Sequence, residues 1–220
     1  YNLDGSEGKM CGNGIRCVGK FLYDHGMVDI NEKDEITIET LSGIKKLKAY
    51  TSGGKVNRLR VDMGKAILDP KEIPVVLDGD KVVDRPVEIA GKNYNITCVS
   101  MGNPHCVVFM DDIDDLDIET VGPEFENDKL FPERVNTEFV TVLDDHTIKM
   151  RVWERGSGET WACGTGACAV AVAACENGFC KKGEDIKIKL KGGDLIINYT
   201  NETVYMTGNA EKVFEGEVEV

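Results

Sequence analysis

The sequence predicts an α/β fold built from two related halves, each containing one helix that is followed by strands. A cysteine precedes a Gly-x-Gly triplet twice, at Cys11 and at Cys163. Strand-like runs that alternate and end in glycine follow both motifs, at residues 35–43 and 185–193. Matching elements in the same order indicate an internal duplication, and a duplication of this kind defines the architecture of the chain.

One helix is predicted directly after each cysteine motif. Residues 15–25 and the alanine-rich run 167–174 favour helix, because small and unbranched side chains lose little conformational freedom there. Gly26 and Gly178 are predicted to end the two helices, and each lies the same distance after its cysteine. Each cysteine is therefore expected where a loop enters a helix.

The strands are predicted from apolar runs that are bounded by turn residues. Three strands are expected between residues 35 and 63, and residues 59–64 have a counterpart in 203–208. Asn103 and His105 are expected at a turn, because Pro104 interrupts regular structure. The remaining elements are strands at 87–89, 94–99, 106–110, 140–143 and 148–155, a short helix at 121–127, and two or three strands after the second main helix.

The composition is that of an ordinary globular protein. The 220 residues are 41% hydrophobic and 30% charged, and no apolar run approaches the length of a membrane span. The formal net charge of −13 argues against a surface for nucleic acid or for anionic lipid. We therefore expect neither nucleic-acid nor membrane partners, and one large domain or two small ones.

Eight cysteines are present, and no two of them form a C-x-x-C pair. We expect six of them to be small packing residues, because they lie in apolar helix-like or strand-like runs. These six are Cys17, Cys98, Cys106, Cys168, Cys175 and Cys180. Cys11 and Cys163 remain as the candidates for chemistry.

The start of a helix favours a negative charge, because its backbone N–H groups lack partners and its dipole is positive there. A thiol at such a position is expected to have a pKa below its ordinary value. Two thiols held by two related halves could approach one substrate from opposite sides. The alternative is that both cysteines merely cap helices and pack.

Other polar residues lie close in sequence to the two motifs. Glu154 and Arg155 precede the glycine loop, residues 156–158, where they form either a surface ion pair or a grip for a charged ligand. His105 is either a hydrogen-bonded histidine or a functional one. Asn2, Asn13, Asn103 and Asn136 are expected in loops. No Walker motif or complete dinucleotide fingerprint is present, and the acidic stretch 111–117 lacks calcium-ligand spacing.

The motifs resemble those of the diaminopimelate epimerases, from end to end of the chain. They are Asp4-Gly-Ser6, Met10-Cys-Gly-Asn-Gly-Ile-Arg-Cys17, Gly102-Asn-Pro-His105, Asn136-Thr-Glu138, Glu154-Arg-Gly-Ser-Gly-Glu-Thr160 and Ala162-Cys-Gly-Thr-Gly-Ala167. The related proline racemases share the paired cysteines but typically carry histidine where this chain has Asn13.

The resemblance implies two pseudo-symmetric domains, each a barrel-like, mainly antiparallel sheet around a central helix, with the substrate in the cleft between them. It implies an isomerase that interconverts LL- and meso-diaminopimelate in lysine and cell-wall biosynthesis, without pyridoxal phosphate, metal or any other cofactor. We place the first domain at residues 1–63 plus 209–220 and the second at 64–208. A proline or hydroxyproline racemase and a non-catalytic binding protein of the same fold are the alternatives.

The resemblance also implies roles for individual residues. Cys11 and Cys163 match the catalytic base and acid. The residues that bind the reacting centre correspond to Gly12, Asn13, Gly164 and Thr165. The residues that bind the distant centre correspond to Asn2, Asn136, Glu154 and Arg155. Asn103 matches a further binding asparagine, and His105 a histidine close to the active site.

Family members normally begin with a Gly-x-Gly-Asn-Asp-Phe stretch, which is not in this sequence. We therefore expect the front of the first domain to be missing from this chain. The partner is expected to be a small-molecule substrate, a homodimer is a possible assembly, and the reduced thiols that the chemistry needs favour a cytoplasmic location.

Overall fold

The computed structural model describes residues 11–30, 34–41 and 43–217. The helices are α1 (Gly12–Asp24), α2 (Ile118–Glu126) and α3 (Gly164–Glu176). The strands are β1 (Glu35–Thr40), β2 (Gly43–Ser52), β3 (Lys55–Asp62), β4 (Arg85–Ile89), β5 (Lys92–Ser100), β6 (Pro104–Phe109), β7 (Asn136–Asp144), β8 (Thr147–Glu154), β9 (Gly158–Thr160), β10 (Asp185–Leu190), β11 (Gly193–Tyr199) and β12 (Val204–Asn209).

The strands of the described chain form one large sheet. Their order is β1-β2-β3-β12-β11-β10-β8-β7-β6-β5-β4, and β9 pairs with β8 at the side of this path. Neighbouring strands are antiparallel except for β6 with β7 and β8 with β10, which are parallel. The predicted α/β class with mainly antiparallel strands is confirmed.

Both cysteine motifs begin a helix, as the sequence predicts. α1 and α3 have 13 residues each, and both start directly after their cysteine, three residues earlier than the helical composition indicates. Gly26 and Gly178 follow the helices with φ values of +65° and +80°. Such left-handed conformations suit glycine, which explains why both helices end there.

The duplication is visible in the way the two halves join. α1 with β1, β2 and β3 repeats as α3 with β10, β11 and β12. The two third strands pair with each other, so that Val61 lies opposite Met206 and Asp62 opposite Tyr205. In the sequence alignment of 59–64 with 203–208, Val61 corresponds to Tyr205 and Asp62 to Met206, so the repeat relates one of these pairs to the other. A pseudo-two-fold axis therefore lies at the centre of the β3–β12 pairing.

α3 is the central helix of the molecule. It packs against β5, β6, β7, β10, β11 and β12, and every residue from Ala167 to Ala174 has no exposed surface. Five of these eight residues are alanine, which lets strands approach the helix from several sides. The sheet therefore surrounds α3, as the resemblance implies for the centre of a domain.

α1 is covered on one side. Ile15, Arg16 and Gly19 are buried, whereas Val18 and Phe21 are about half exposed. A methyl group on Gly19 would lie 2.8 Å from Leu59 and 2.9 Å from Leu47, so the glycine allows the helix to lie directly on β2 and β3.

A second apolar cluster holds the sheet to α2. Phe125 of α2 makes edge-to-face contacts with Phe139 and Tyr94, at centroid distances of 5.4 and 4.9 Å. Trp153 packs against α2 at Gly122, where a methyl group would lie 2.3 Å from the indole ring. This cluster fixes α2 beside β7 and β8, which lead to the candidate site.

Several local expectations are wrong. His105 does not lie at a turn but inside β6, because Pro104 is the first residue of that strand, a position where proline is tolerated. Asn13 lies in α1 and Asn136 begins β7, so neither is a loop residue. Cys17 is exposed on the outer side of α1, whereas the other five predicted packing cysteines are buried or partly buried.

None of the three helices in the described chain combines the length and the apolar character that crossing a membrane requires. The division into domains at residues 1–63 plus 209–220 and 64–208 stays a prediction.

Candidate active site

Cys11 and Cys163 have matching backbone conformations and matching contacts. Each is the N-cap of its helix, with φ and ψ of −126° and 115° for Cys11 and of −116° and 111° for Cys163. Each sulfur accepts a hydrogen bond from the N–H three residues later, at 3.4 Å from Gly14 N and from Gly166 N. The positive ends of both helices are thus directed at a sulfur atom.

The starts of the two helices touch each other. A methyl group on Gly164 would lie 3.4 Å from Cα of Gly12 and 3.6 Å from Oδ1 of Asn13. Asn13 also donates from Nδ2 to the carbonyl oxygen of Ala162, at 3.4 Å. The residues that follow Cys11 therefore meet the residues that flank Cys163, and the glycines make this approach possible.

Arg16 supports the residues that follow Cys11, and the sequence alone assigns it no role. Its guanidinium, which is buried, donates to Oδ1 of Asn13 and to the carbonyl oxygen of Gly12, both at 3.1 Å. Burial lowers the pKa of Arg16, and the nearby thiols of Cys17, Cys11 and Cys168 oppose that effect. A buried cation under Asn13 fixes the orientation of the amide.

The two cysteines differ in their surroundings. Cys11 is exposed, whereas Cys163 keeps only 6% of its surface exposed. Burial raises the pKa of the Cys163 thiol well above its ordinary value, and the carboxylates of Glu154 and Glu138 raise it further. The hydrogen bonds from Thr165 and Gly166 act in the opposite direction but are weaker. The expectation of a lowered pKa is therefore wrong for Cys163, because burial outweighs the helix start.

A chain of hydrogen bonds leads from Cys163 into the protein. Oγ1 of Thr165 lies 3.5 Å from Sγ of Cys163 and accepts from Nδ2 of Asn103 at 3.3 Å. Oδ1 of Asn103 lies 3.1 Å from Nε2 of His105, and Nδ1 of His105 lies 2.7 Å from Oε1 of Glu138. His105 and Glu138 are completely buried. The predicted residues Thr165, Asn103 and His105 thus form one network with Cys163.

Asn136 and the residues around the glycine loop form a third group. Oδ1 of Asn136 accepts from the backbone N–H of Arg155 at 3.0 Å, and its Nδ2 donates to the carbonyl oxygen of Pro104. Thr160 donates a hydrogen bond to Oε1 of Glu154. Nη1 of Arg155 donates to the carbonyl oxygen of Glu133 at 2.9 Å. Glu154 and Arg155 are therefore held by separate partners.

Glu126 anchors this glycine loop to α2, and no motif in the sequence indicates that role. Its Oε1 accepts from the N–H of Gly156 at 2.9 Å and from Arg134 at 3.1 Å, and its Oε2 accepts from the indole of Trp153 at 2.7 Å. One nearly buried carboxylate thus fixes the residues on both sides of Glu154 and Arg155.

Two further observations bound the site. A cavity of about 290 Å³ lies between α1 and residues 210–214, with Cys17 and His25 in its wall, but neither Cys11 nor Cys163 lines it. Within residues 11–30, 34–41 and 43–217, no three His, Cys, Asp or Glu side chains converge as a metal site would require. Asn2 lies outside the described residues.

Sequence comparisons point to one family. A family model described as diaminopimelate epimerase matches residues 1–68 and 97–213. The chain is 54% identical over 222 residues to the diaminopimelate epimerase of Acetivibrio thermocellus, with 100% of this chain and 78% of that protein covered. It is 52% identical over 229 residues to the diaminopimelate epimerase of Agathobacter rectalis, with coverage of 100% and 79%.

Structural comparisons find the same fold in more distant proteins. A probable proline racemase from Agrobacterium radiobacter K84 superimposes with a TM-score of 0.71 at 16% identity, over 91% of this chain and 65% of that one. A predicted epimerase from Pseudomonas aeruginosa superimposes with a TM-score of 0.61 at 18% identity, over 98% and 78%. At such low identity these likenesses concern the fold alone.

Proposed function

This chain belongs to the diaminopimelate epimerase family and is an isomerase, and from that premise we propose that Cys11 and Cys163 are its two proton-transferring groups. One sulfur, as thiolate, takes the proton from the α-carbon of the amino acid. The other, as thiol, gives a proton to the opposite face. The configuration inverts, so that LL-diaminopimelate becomes the meso form, and the two sulfurs exchange roles for the reverse reaction.

The single observation that supports this proposal most strongly is the matching geometry of the two cysteines. Two thiols that cap two touching helices, in halves related by a pseudo-two-fold axis, suit a reaction that needs one group on each face of a carbon atom. Helix capping alone would not require cysteine at both positions, because Ser, Thr, Asn and Asp are better caps.

We assign the resting proton to Cys163. Its sulfur is buried, and the adjacent carboxylates of Glu138 and Glu154 disfavour a second negative charge there, which keeps its pKa high. In the enzyme form with one thiol and one thiolate, Cys163 then donates the proton and the exposed Cys11 removes one. After one turnover the proton lies on Cys11, and the reverse reaction or proton exchange restores the resting form.

The helix starts supply the remaining stabilisation. A positioned acid or base contributes about 10²–10⁴-fold to the rate, which is too little for so weak a carbon acid. Negative charge develops toward the substrate carboxylate as the proton leaves. The N–H groups of Gly12, Asn13, Gly164 and Thr165 lie in the first turns of α1 and α3, where they can receive that charge. Cofactors have no step in this scheme.

The distant end of the substrate is assigned to the third group of residues. Diaminopimelate carries a second ammonium group and a second carboxylate. Glu154 is suited to an ammonium group and Arg155 to a carboxylate, and Asn136 holds the backbone between them in place. Proline has no second charged end, so this pair of charges favours diaminopimelate over the racemase alternative. Asn2 completes the proposed set, with Asn103 and His105 beside Cys163.

The test follows deuterium from solvent into the substrate. In deuterated water, LL-diaminopimelate should gain one deuterium at the inverted α-carbon as the meso isomer appears, and proline should gain none. Cys11→Ala and Cys163→Ala are expected to lose conversion by at least about 10²-fold. Cys17→Ala, which removes another exposed thiol of α1, is the control and should convert normally. Undiminished conversion by either of the first two variants would refute the assignment.

We further infer a cytoplasmic enzyme that works on a small molecule and has no nucleic-acid or membrane partner. All eight cysteines are free, and the proposed chemistry needs reduced thiols, which a reducing compartment maintains. A homodimer is a possible assembly. Sedimentation of the purified protein at two concentrations would test it.

A further inference from the structure

A completely buried carboxylate, Glu138, lies at the far end of the network that starts at Cys163. It belongs to β7, and its side chain has no exposed surface. Oε1 lies 2.7 Å from Nδ1 of His105, whereas Oε2 is buried and has no hydrogen-bond partner in the described part of the chain. A carboxylate in this situation costs stability, because its desolvation is only partly compensated. Its presence therefore indicates a purpose other than stability.

The direction of each hydrogen bond in the network follows from the chemistry of its members. Oδ1 of Asn103 can only accept, so Nε2 of His105 carries a hydrogen and donates it. Nδ2 of Asn103 donates to Oγ1 of Thr165, which leaves the hydroxyl hydrogen of Thr165 free to point at Sγ of Cys163. From Nε2 of His105 through Nδ2 of Asn103 to the hydroxyl of Thr165, each donor is therefore directed toward the sulfur.

Glu138 also lies close to the start of α3. A methyl group on Gly166 would lie 2.5 Å from Oε1 of Glu138 and 3.2 Å from Sγ of Cys163, so a single glycine separates the carboxylate from the thiol. Among the residues that the structure describes, the charged or titratable groups that face Cys163 are Glu154 from β8 and Glu138 from β7. In the same described part of the chain, those that face Glu138 are His105 and Cys106 from β6, Glu154 and Cys163.

We propose that Glu138 is a positioning residue for the reaction at Cys163, acting through His105, Asn103 and Thr165 and through its own proximity to the sulfur. This proposal rests on the proposed function. Glu138 fixes the ring of His105 so that Nε2 faces Asn103, which orients the amide and then the hydroxyl of Thr165. The hydroxyl stabilises the sulfur when it is a thiolate, and the carboxylate keeps it a thiol in the resting enzyme.

The titration of the buried groups agrees with this arrangement. Burial raises the pKa of Glu138, against the opposing effect of His105, so its charge depends on the histidine. The charge of Glu138 in turn contributes to the raised pKa of Cys163. Removing that charge should therefore make Cys163 lose its proton at lower pH.

Two substitutions separate the two actions of Glu138. Glu138→Gln removes the charge and keeps the shape, and it should shift the alkaline limb of the pH profile of kcat/KM to lower pH by about one unit. Glu138→Leu also removes the contact with His105, and it should lower kcat by about 10-fold to 100-fold with little change in KM, because the affected group acts in the chemical step. Thr137→Val is the matched control, since Thr137 is the buried neighbour in β7 whose hydroxyl has no partner in the described chain.

If Glu138 were merely structural, its substitution would lower the melting temperature and leave the alkaline limb of the pH profile at its wild-type position. That result would overturn the proposal. A measurement on the wild-type protein keeps the test independent of folding. Nitrogen NMR of His105 should show a hydrogen on Nε2 throughout the active pH range, and a bare Nε2 would also overturn the proposal. The variant Cys163→Ala distinguishes failure of the proposed function from failure of the Glu138 proposal. If the proposed function is wrong, this variant stays active regardless of the results for the Glu138 variants.

Discussion

Gly14 and Gly166 occupy equivalent positions, three residues after the two helix-capping cysteines, but they have different surroundings. A methyl group on Gly14 would lie 3.4 Å from Cβ of Cys11, an ordinary contact, whereas one on Gly166 would lie 2.5 Å from Oε1 of Glu138. The duplicated motif therefore requires glycine at the second position for a reason that the first position does not share.

Gly166→Ala is expected to lower kcat/KM by about 10²-fold, because relief of the clash must move Glu138 or the start of α3 away from its present place. It should also lower the free energy of unfolding by about 1–3 kcal/mol. Steady-state kinetics and urea denaturation measure the two effects. Gly14→Ala, the matched change in the first half, should have clearly smaller effects on both, and equal effects would contradict the structural difference.

Arg16 is predicted to act on binding through Asn13. Arg16→Met removes the donor that holds Oδ1 of Asn13, and it should raise KM for diaminopimelate by about 10-fold, the value of a typical hydrogen bond to a charged group. Arg16→Lys keeps the charge but offers one nitrogen in place of the two that donate to Gly12 and Asn13, so a partial loss is expected. Initial rates over a range of substrate concentrations give KM, and an unchanged KM in a folded Arg16→Met protein would disprove this role.

Glu126 is predicted to control recognition of the distant end of the substrate. Glu126→Gln keeps one acceptor but loses charge-assisted hydrogen bonds to Gly156, Trp153 and Arg134, so the loop that carries Arg155 should loosen. We expect a 10-fold increase in KM, about 1.4 kcal/mol, with a smaller change in kcat. Glu119→Gln, an acidic residue in the first turn of the same helix, is the control. A change in kcat alone would contradict a binding role.

The buried thiol of Cys168 is predicted to make the protein less stable at high pH. Burial raises its pKa from 9.0 to about 12, so above pH 9 the unfolded chain releases a proton that the folded chain keeps. Its contribution to stability is complete below pH 9 and is lost as the pH rises toward 12, by up to about 1.4 kcal/mol per pH unit.

Urea denaturation between pH 8 and pH 10 tests the effect of Cys168. The difference in unfolding free energy between the wild-type protein and Cys168→Ala should be constant up to pH 9 and shrink above it. Cys17→Ala removes an exposed thiol and should run parallel to the wild-type curve throughout. Parallel curves for Cys168→Ala would show that the thiol ionises equally in both states.

The elements that local sequence specifies could be predicted. Gly26 and Gly178 end their helices because both adopt a conformation that favours glycine, and that preference acts without distant partners. The positions of Cys11 and Cys163 at the starts of two helices could be predicted for the same reason. The alternation of β1 and β10 was readable because one side of each strand is buried.

What depends on distant residues could not be predicted. The pKa of Cys163 depends on Glu138 and Glu154, which only the folding of β7 and β8 brings to it. Glu126 lies about 30 residues before the loop that it holds. The sequence predicts a turn at His105 because Pro104 interrupts most strands, and only the pairing with β5 and β7 shows that this strand begins at the proline.

The position of β12 has a consequence for synthesis on the ribosome. β12 is the last strand in the described chain, yet it lies between β3 and β11 and pairs Tyr205 with Asp62. The early hairpins can form while translation continues, but β3 keeps an open edge until the final strand has left the exit tunnel. An open edge attracts other chains. Nascent molecules of this protein are therefore expected to need protection by chaperones late in translation, when β3 is complete and its partner is not.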